Sequence, residues 1–313
     1  MLTARRALIL SAALFLLPLR ALAWHDVGHM LVAQVAYLRL TPAAKARVDK
    51  LLVTPEGRRP LIHLCAGFYR AATCEKIYDP VTIAVWMDDF RGDSLNGEYD
   101  TWHYINHKPF FDGIPVRTNV GPEPVNVLER INWAVNTLRR GTGHDRTDAE
   151  TLGYLYHLVG DVHQPMHATT RYTAAHPDGD AGGNLFRLKP AEGMPATSLH
   201  FFWDAGAGAF GFEEPRRPLD AAARARLRSL ADALMKEHPA DSLPAAQDLE
   251  PLNWVEESNQ LARRVVYANI RENETPSKAY TEEAQRVVRL RVTLGGYRLA
   301  GLLNMLFAEP PAS

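Results

Sequence analysis

The chain has 313 residues, 46% of them hydrophobic and 23% charged, so it is long enough to bury a sizeable core. With 35 Lys and Arg against 36 Asp and Glu, its formal net charge is −1. This balance excludes the excess of basic residues with which many proteins attract nucleic acids. Any affinity for phosphate must therefore come from bound cations or from a local patch.

Residues 1–23 have the pattern of a secretory signal peptide. The basic pair Arg5-Arg6 precedes an apolar run that is too short to span a bilayer comfortably, and Ala21-Leu-Ala23 is a small-x-small cleavage signal. The arginine pair also leaves twin-arginine export open as an alternative to the general secretory route. The sequence thus predicts a secreted or periplasmic protein without a membrane anchor, which begins at Trp24 after cleavage.

Residues 24–313 are expected to form one all-α domain, because no repeat, low-complexity run or linker divides them. Apolar residues recur at helical spacing over 28–39, 42–52, 80–90, 123–140, 148–163, 218–237, 251–271 and 280–307. Clusters of Gly and Pro predict loops over 92–97, 109–124, 141–143 and 176–195. Strand signals are weak, and the best of them is a small hairpin that would pair 184–189 with 197–202.

The chain contains two cysteines, Cys65 and Cys74. In an exported protein, an even pair this close in sequence favours one disulfide that closes a small loop. A zinc site with His63 is the alternative, but the spacing offers no fourth ligand. The disulfide is the preferred interpretation.

Two pairs of imidazole and carboxylate side chains at helical spacing are candidate metal ligands. His157 and Asp161 are four residues apart in a predicted helix, so both project from one face. His167 follows a proline, and because proline ends the helix, His167 can lie beside the helix end. His200 and Asp204 form the second pair.

Further candidate ligands precede these pairs: His29, Asp88 and His103. Mixed imidazole and carboxylate ligands without thiolates are typical of catalytic zinc, which keeps a coordination position for water. A single pair at this spacing is more often a simple hydrogen bond, but together these residues supply more ligands than one ion needs. Zinc-bound histidines usually give their other N–H to a carboxylate, a role that Glu75 and Asp89 could fill.

The motifs that carry these residues resemble those of the S1/P1 nuclease family, zinc-dependent single-strand nucleases that share a fold with bacterial zinc phospholipase C. The matching segments, which extend over about the whole mature chain, are Trp24 with His29 five residues later, Ile83-Ala-Val-Trp86-Met-Asp88, Trp102-His-Tyr-Ile-Asn106, His157-Leu-Val-Gly-Asp161-Val-His-Gln-Pro-Met-His167, Gly182-Gly-Asn184, Leu199-His-Phe-Phe-Trp203-Asp204 and Trp254-Val-Glu-Glu-Ser258. The resemblance implies a single multi-helix domain of the phospholipase C/P1 nuclease type.

The resemblance also implies a centre of three Zn²⁺ ions. By the family's pattern the first ion is held by Asp88, His103, His157 and Asp161, the second by His167, His200 and Asp204, and the third by His29, by Asp161 as a bridge, and by the amine and carbonyl of Trp24. The residue types permit this, since the two oxygens of Asp161 can bind two ions and a free amino terminus binds metal once deprotonated. Three ions would also explain how this chain binds phosphate.

Family membership would further imply an activity and a set of substrates. Such enzymes cut single-stranded DNA and RNA to products with 5′-phosphates and remove 3′-phosphates from nucleotides, and a monomer is expected. Asp88 and Arg91 are the expected catalytic residues, with a surface salt bridge as the structural alternative for Arg91. Tyr104 and Asn106 occupy the base-stacking and base-edge positions, where an unpaired base needs an aromatic platform and an amide. Tyr104 could instead be a core aromatic, and Asn106, which can donate and accept, leaves the base preference open.

Two other functions are compatible with some of these features. Zinc phospholipase C also begins with Trp and binds three zinc ions, but its last ligand pair typically ends in Glu, whereas His200 pairs with Asp204. A secreted protein that sequesters zinc without turnover would need neither Arg91 nor a bridging ligand. The residues therefore favour a nuclease.

Overall fold

The computed structural model describes residues 24–52, 79–89 and 97–308. Within these ranges the α-helices are α1 (Asp26–Leu38), α2 (Pro42–Leu52), α3 (Trp86–Asp89), α4 (Val127–Arg140), α5 (Asp145–Val162), α6 (Leu199–Asp204), α7 (Ala221–Glu237), α8 (Pro251–Leu261) and α9 (Lys278–Leu306). Short 3₁₀ helices adjoin several candidate ligands, at Thr82–Val85, Gly97–His103 and Pro165–Ala168. The architecture confirms the prediction of an all-α fold.

The core forms where α1, α5 and α9 pack together. Helix α1 lies along α9 and also contacts α5 and α7. Every residue of α5 from Thr151 to Val162 is buried. A helix without a solvent-exposed face can hold polar side chains only if they are paired or bind a ligand. The fold therefore places His157 and Asp161 inside the protein.

The close approach of α9 to α1 depends on a glycine. A Cβ atom on Gly296 would lie 2.5 Å from Cβ of Val35 on α1, which is closer than two carbon atoms can approach. A larger residue at position 296 would separate the two helices. The glycine thus fixes the position of α1, the helix that carries His29.

The predicted helices are present, with differences in extent. The stretch 80–90 is divided into the 3₁₀ helix Thr82–Val85 and α3. Helix α4 begins at Val127 and not at 123, because the side-chain oxygen of Asn126 caps its first backbone N–H groups. Helix α8 ends at Leu261 and continues as one π-helical turn, Ala262–Val266.

The predicted hairpin is wrong except at one antiparallel bridge, which joins Arg187 and Ser198. The residues after Ser198 form α6, because the Ser198 hydroxyl oxygen accepts the backbone N–H of Phe201 and caps the helix. The one sheet among the described residues is a parallel pair, β1 (Phe110–Phe111) and β2 (Arg171–Tyr172). Over 24–52, 79–89 and 97–308, no helix has the length and apolar character needed to cross a membrane.

Candidate metal centre

Helix α5 presents His157 and Asp161 on one face, and Gly160 between them leaves room for a third ligand. The ring of His29, from α1, stacks on that of His157 with a centroid distance of 4.1 Å and an angle of 16°. A Cβ atom on Gly160 would lie 2.5 Å from Nδ1 of His29. The His-x-x-Gly-Asp sequence therefore supplies two ligands and the space into which His29 fits.

The two carboxylate oxygens of Asp161 face different imidazoles. Oδ2 lies 2.9 Å from Nδ1 of His103 and 3.1 Å from Nε2 of His157. Oδ1 lies 3.4 Å from Nε2 of His29 and 3.6 Å from Nδ1 of His167. Such a carboxylate can bind one ion through each oxygen.

Asp88, at the end of α3, completes this part of the site. Its Oδ1 lies 3.7 Å from Nε2 of His157 and 4.0 Å from Nδ1 of His103, and its Oδ2 lies 3.8 Å from Nε2 of His29. The candidate ligand atoms form two groups here, and within each group they lie within 4.8 Å of one another. One group is His29, His157 and Asp161, and the other is Asp88, His103 and His157. Each group has the ligand types and the spacing that a metal ion requires.

The ligands expected for the second ion, His167, His200 and Asp204, also have ligand atoms within 4.8 Å of one another. His167 lies in the 3₁₀ turn after α5, as the proline predicts, and its Nε2 is 3.7 Å from Oδ1 of Asp204. Nε2 of His200 is 3.2 Å from Oδ2 of Asp204 across one turn of α6. Gln164, which the sequence did not single out, donates its side-chain N–H to Oδ1 of Asp204 at 2.6 Å.

Backbone carbonyls fix the tautomers of three candidate ligands. Nδ1 of His157 donates to the carbonyl of Ala84, Nδ1 of His167 to that of His103, and Nδ1 of His200 to that of Gly182, each at 2.7 Å. Because a carbonyl can only accept, Nδ1 of each ring carries a proton, and Nε2 is the nitrogen available to a metal. Metal-binding histidines typically donate their other ring N–H to a carbonyl or carboxylate in this way.

Three buried polar atoms of His29 and Asp161 lack a hydrogen-bond partner. Among the described residues, Nδ1 and Nε2 of His29 and Oδ1 of Asp161 are buried without a hydrogen bond. Unsatisfied buried polar atoms are costly and rare in native proteins, unless an ion or ligand satisfies them. The donor set, imidazole and carboxylate without thiolate, fits zinc.

The electrostatic field of the site favours cations. Burial alone would lower the pKa of His157, but the carboxylates of Asp161 and Asp88 raise it to about 9. Burial alone would raise the pKa of Asp161, but His157 and hydrogen bonds from His103 and His157 hold it well below its usual value. Burial, followed by the neighbouring His157, lowers the pKa of His29. The carboxylates thus stay charged, which suits a site for cations.

Trp24 lies beside the same part of α5. Its side chain is fully buried, and its indole Nε1–H donates to the carbonyl of Gly160 at 2.9 Å. The next residue, His25, donates its backbone N–H to the carbonyl of Asp204 at 2.9 Å. The segment at Trp24 is therefore held between the two ligand-bearing helices α5 and α6.

Asp89 does not have the role proposed for it from the sequence. Its carboxylate accepts two hydrogen bonds from Arg217, at 2.7 and 2.8 Å, and among the described residues it contacts none of the candidate ligand imidazoles. Arg217 also contacts Asp26 of α1 at 2.8 Å. Arg217 thus ties the helix that carries His29 to the segment that carries Asp88. A buried arginine of this kind cannot be recognised from sequence spacing.

The end of α5 is supported by a buried ionic network. Arg291 and Arg298 of α9 both bind Glu257 of α8, and Arg291 also donates to the Ser258 hydroxyl at 2.7 Å. Ser258 in turn donates, at 2.6 Å, to the carbonyl of Val162, which is the last residue of α5. The Trp254-Val-Glu-Glu-Ser258 motif therefore acts on the site indirectly, by fixing α5.

A cleft of about 500 Å³ opens beside His167 and His200. Its lining includes His167 and His200 together with Tyr104 and Asn106, the two residues predicted to contact a base. The structure thus brings two of the candidate ligands and both candidate base-binding residues to one cleft. Gly182 is needed here, because its φ is +60° and a Cβ atom would lie 3.0 Å from the carbonyl oxygen of Met166.

Several predictions lie outside the described residues. These concern the catalytic role of Arg91, the Cys65–Cys74 disulfide, the contribution of Glu75 and the signal peptide over 1–23. They stay predictions from the sequence.

The chain is similar to known endonucleases. Residues 24–308, which include every candidate ligand, match the family model described as S1/P1 Nuclease. Endonuclease 3 of Arabidopsis thaliana is 25% identical over 304 residues, which cover 92% of this chain and 90% of that protein. Endonuclease 1 of the same plant is 30% identical over 166 residues, which cover 52% of this chain and 51% of that protein.

Proposed function

This chain belongs to the S1/P1 nuclease family, and we propose that it is a secreted or periplasmic phosphodiesterase with three zinc ions. In this proposal it cuts single-stranded DNA and RNA to products with 5′-phosphates and removes 3′-phosphates from nucleotides. The observation that carries the proposal is the position of Asp161, whose two oxygens face separate imidazoles at 2.9–3.6 Å. A carboxylate in this position could bind two neighbouring ions, one through each oxygen.

The ligand assignment follows the contacts. Oδ2 of Asp161 would bind the same ion as Asp88, His103 and His157, and Oδ1 would bind the same ion as His29. His167, His200 and Asp204 hold the remaining ion at the wall of the cleft. Because Nδ1 of His157, His167 and His200 is engaged by backbone carbonyls, Nε2 of each ring would be the atom that binds a metal.

The amino terminus of the mature protein completes the third site. The Trp24 side chain donates to the carbonyl of Gly160 and packs against Gly28, the residues that precede Asp161 and His29 in the sequence. Removal of residues 1–23 would free the Trp24 amine, whereas a peptide nitrogen has no lone pair to give to a metal. Export would then couple cleavage of the leader to activation.

The chain's own residues bind and orient the substrate. Zinc ions bound here would stabilise the negative charge that develops on the phosphoryl oxygens and lower the pKa of a water molecule. Tyr104 stacks on an unpaired base in the cleft, with Asn106 at its edge. Arg91 would contribute a positive charge that stabilises the transition state, an effect that is commonly worth on the order of 10²–10³ in rate. A duplex, whose bases are already stacked and paired, cannot make the base contacts.

The proposal is tested with three substrates: single-stranded DNA, adenosine 3′-phosphate and phosphatidylcholine vesicles, each with and without a chelator. We expect cleavage of the DNA and release of phosphate from the nucleotide, both abolished by the chelator and restored by zinc. Hydrolysis of phosphatidylcholine alone would instead identify a zinc phospholipase C. Metal binding without hydrolysis of any substrate would identify a zinc-sequestering protein.

A further inference from the structure

The side chain of Asn106 is held in one orientation by two neighbours. Its Nδ2 donates to a carboxylate oxygen of Glu123, and its Oδ1 accepts from the hydroxyl of Thr170. The backbone N–H of Asn106 also donates to the second oxygen of Glu123, at 3.3 Å. Both oxygens of this carboxylate are therefore engaged by a single residue.

The hydrogen-bonding chemistry of Glu123 determines whether the nitrogen or the oxygen of the Asn106 amide faces Glu123. An ionised carboxylate can only accept hydrogen bonds, so the nitrogen of Asn106 must face Glu123. Thr170 lines the cleft together with Asn106, whereas Glu123 is not part of the lining. The amide oxygen is consequently at the cleft side and the nitrogen is turned away from it.

Both partners of the amide are themselves held in place. The backbone carbonyl of Glu123 accepts from Nδ2 of Asn126, the capping residue of α4, at 2.7 Å. Thr170 is buried, and its Cγ2 lies only 2.5 Å from where a Cβ atom on Gly179 would be. The methyl group therefore packs against Gly179, which leaves the hydroxyl directed at Asn106.

We infer that Glu123 determines base specificity by locking Asn106 with its acceptor oxygen towards the cleft. The oxygen has a second lone pair and can accept an N–H from an occupant. The cleft would then select nucleobases that carry an exocyclic amine over bases without a donor at that edge. This inference rests on the proposed function, because it takes the occupant of the cleft to be a nucleotide.

The test compares two ligands that differ only in the 6-amino group, adenosine 5′-monophosphate and purine riboside 5′-monophosphate. Their dissociation constants are measured by calorimetry with the zinc-loaded protein. We expect the amine-bearing nucleotide to bind about tenfold more tightly, the effect of one hydrogen bond. Equal affinity of the wild-type protein for both ligands would overturn the inference, whatever the behaviour of any variant.

Glu123→Gln identifies the cause of the preference. A glutamine amide can meet Asn106 as donor or acceptor, so the Asn106 amide can turn over, and the preference should fall to about twofold or less. Glu129→Gln, the same change at a residue outside the cleft lining, should keep the full preference. An unchanged preference in Glu123→Gln would show that Glu123 does not set the specificity.

Binding and hydrolysis separate this inference from the proposed function. A protein that cuts single-stranded DNA but binds both nucleotides equally would overturn the inference alone. A protein that prefers the amine-bearing nucleotide but hydrolyses no phosphate ester would overturn the proposed function alone.

Discussion

Nδ1 of His29 lies 2.5 Å from the position that a Cβ atom would take on Gly160. Glycine inside a helix is destabilising by roughly 0.5–1 kcal/mol relative to alanine. Its presence in the middle of α5 is therefore explained by the room that it makes for the His29 ring and not by the stability of the helix.

Gly160→Ala should displace His29 and lower the zinc content. The ligands His167, His200 and Asp204 are on other segments, so we expect their ion to be retained. Hydrolysis of single-stranded DNA should fall by about 10²-fold or more, since the loss of one charge at such a site has that effect. Gly121→Ala is the control, because a Cβ atom there would meet nothing within 4 Å. A fully metallated Gly160→Ala protein would contradict this explanation.

Asp161→Ala should be more damaging than Asp204→Ala. Each oxygen of Asp161 faces a different set of imidazoles, whereas Asp204 belongs to one ligand group. Zinc content, measured by native mass spectrometry, should fall by two ions in the first variant and by one in the second. The same stoichiometry in both would show that Asp161 does not bridge.

Tyr104→Ala should raise KM for single-stranded DNA more than it lowers kcat. Base stacking on an aromatic side chain contributes about 1–3 kcal/mol, which corresponds to a five- to 150-fold change in affinity. Tyr99→Phe serves as a control, because Tyr99 packs against Trp102 and is not in the cleft lining. If Tyr104→Ala leaves both constants unchanged, Tyr104 is only a packing residue.

The sequence indicated which candidate ligands lie together better than it indicated the residues that surround them. Spacing alone places His157 and Asp161 on one helix face, because the helical period is a local property of the chain. Sequence spacing does not predict contacts between segments that are distant in the chain, such as those of Arg217 with Asp26 and Asp89. The hairpin prediction failed for a related reason, since the β-propensity of the aromatic residues in α6 is outweighed by the Ser198 cap and tertiary packing.

Glu257→Gln should alter the acid dependence of stability. Burial alone would raise the pKa of Glu257, but Arg298 and Arg291 lower it below 4.5. Because the folded state holds the proton less tightly than the unfolded state, Glu257 stabilises the fold above pH 4.5 and loses this effect as the pH falls further. The variant should therefore have a lower Tm than the wild type at pH 7, and this difference should shrink between pH 5 and pH 3.

Glu283→Gln provides the matched control for this experiment. Glu283 also has a lowered pKa, through a hydrogen bond from Arg286, but both side chains are about half exposed. Exposed pairs contribute little to stability, so Tm should barely change at any pH. A Tm difference for Glu257→Gln that is constant from pH 7 to pH 3 would contradict the assigned role of the carboxylate.

The most direct test of the proposed centre is the zinc stoichiometry of two forms of the protein. One form begins at Trp24 and the other carries an uncleaved extension before it. We predict three zinc ions per chain in the first form and two in the second, with a large loss of single-stranded DNA hydrolysis in the extended form. The free α-amino group, with an ordinary pKa near 7.7–8.0, must lose a proton to bind metal, so the third ion should be lost first on acidification. Three ions and full activity in the extended form would contradict a centre completed by the Trp24 amine.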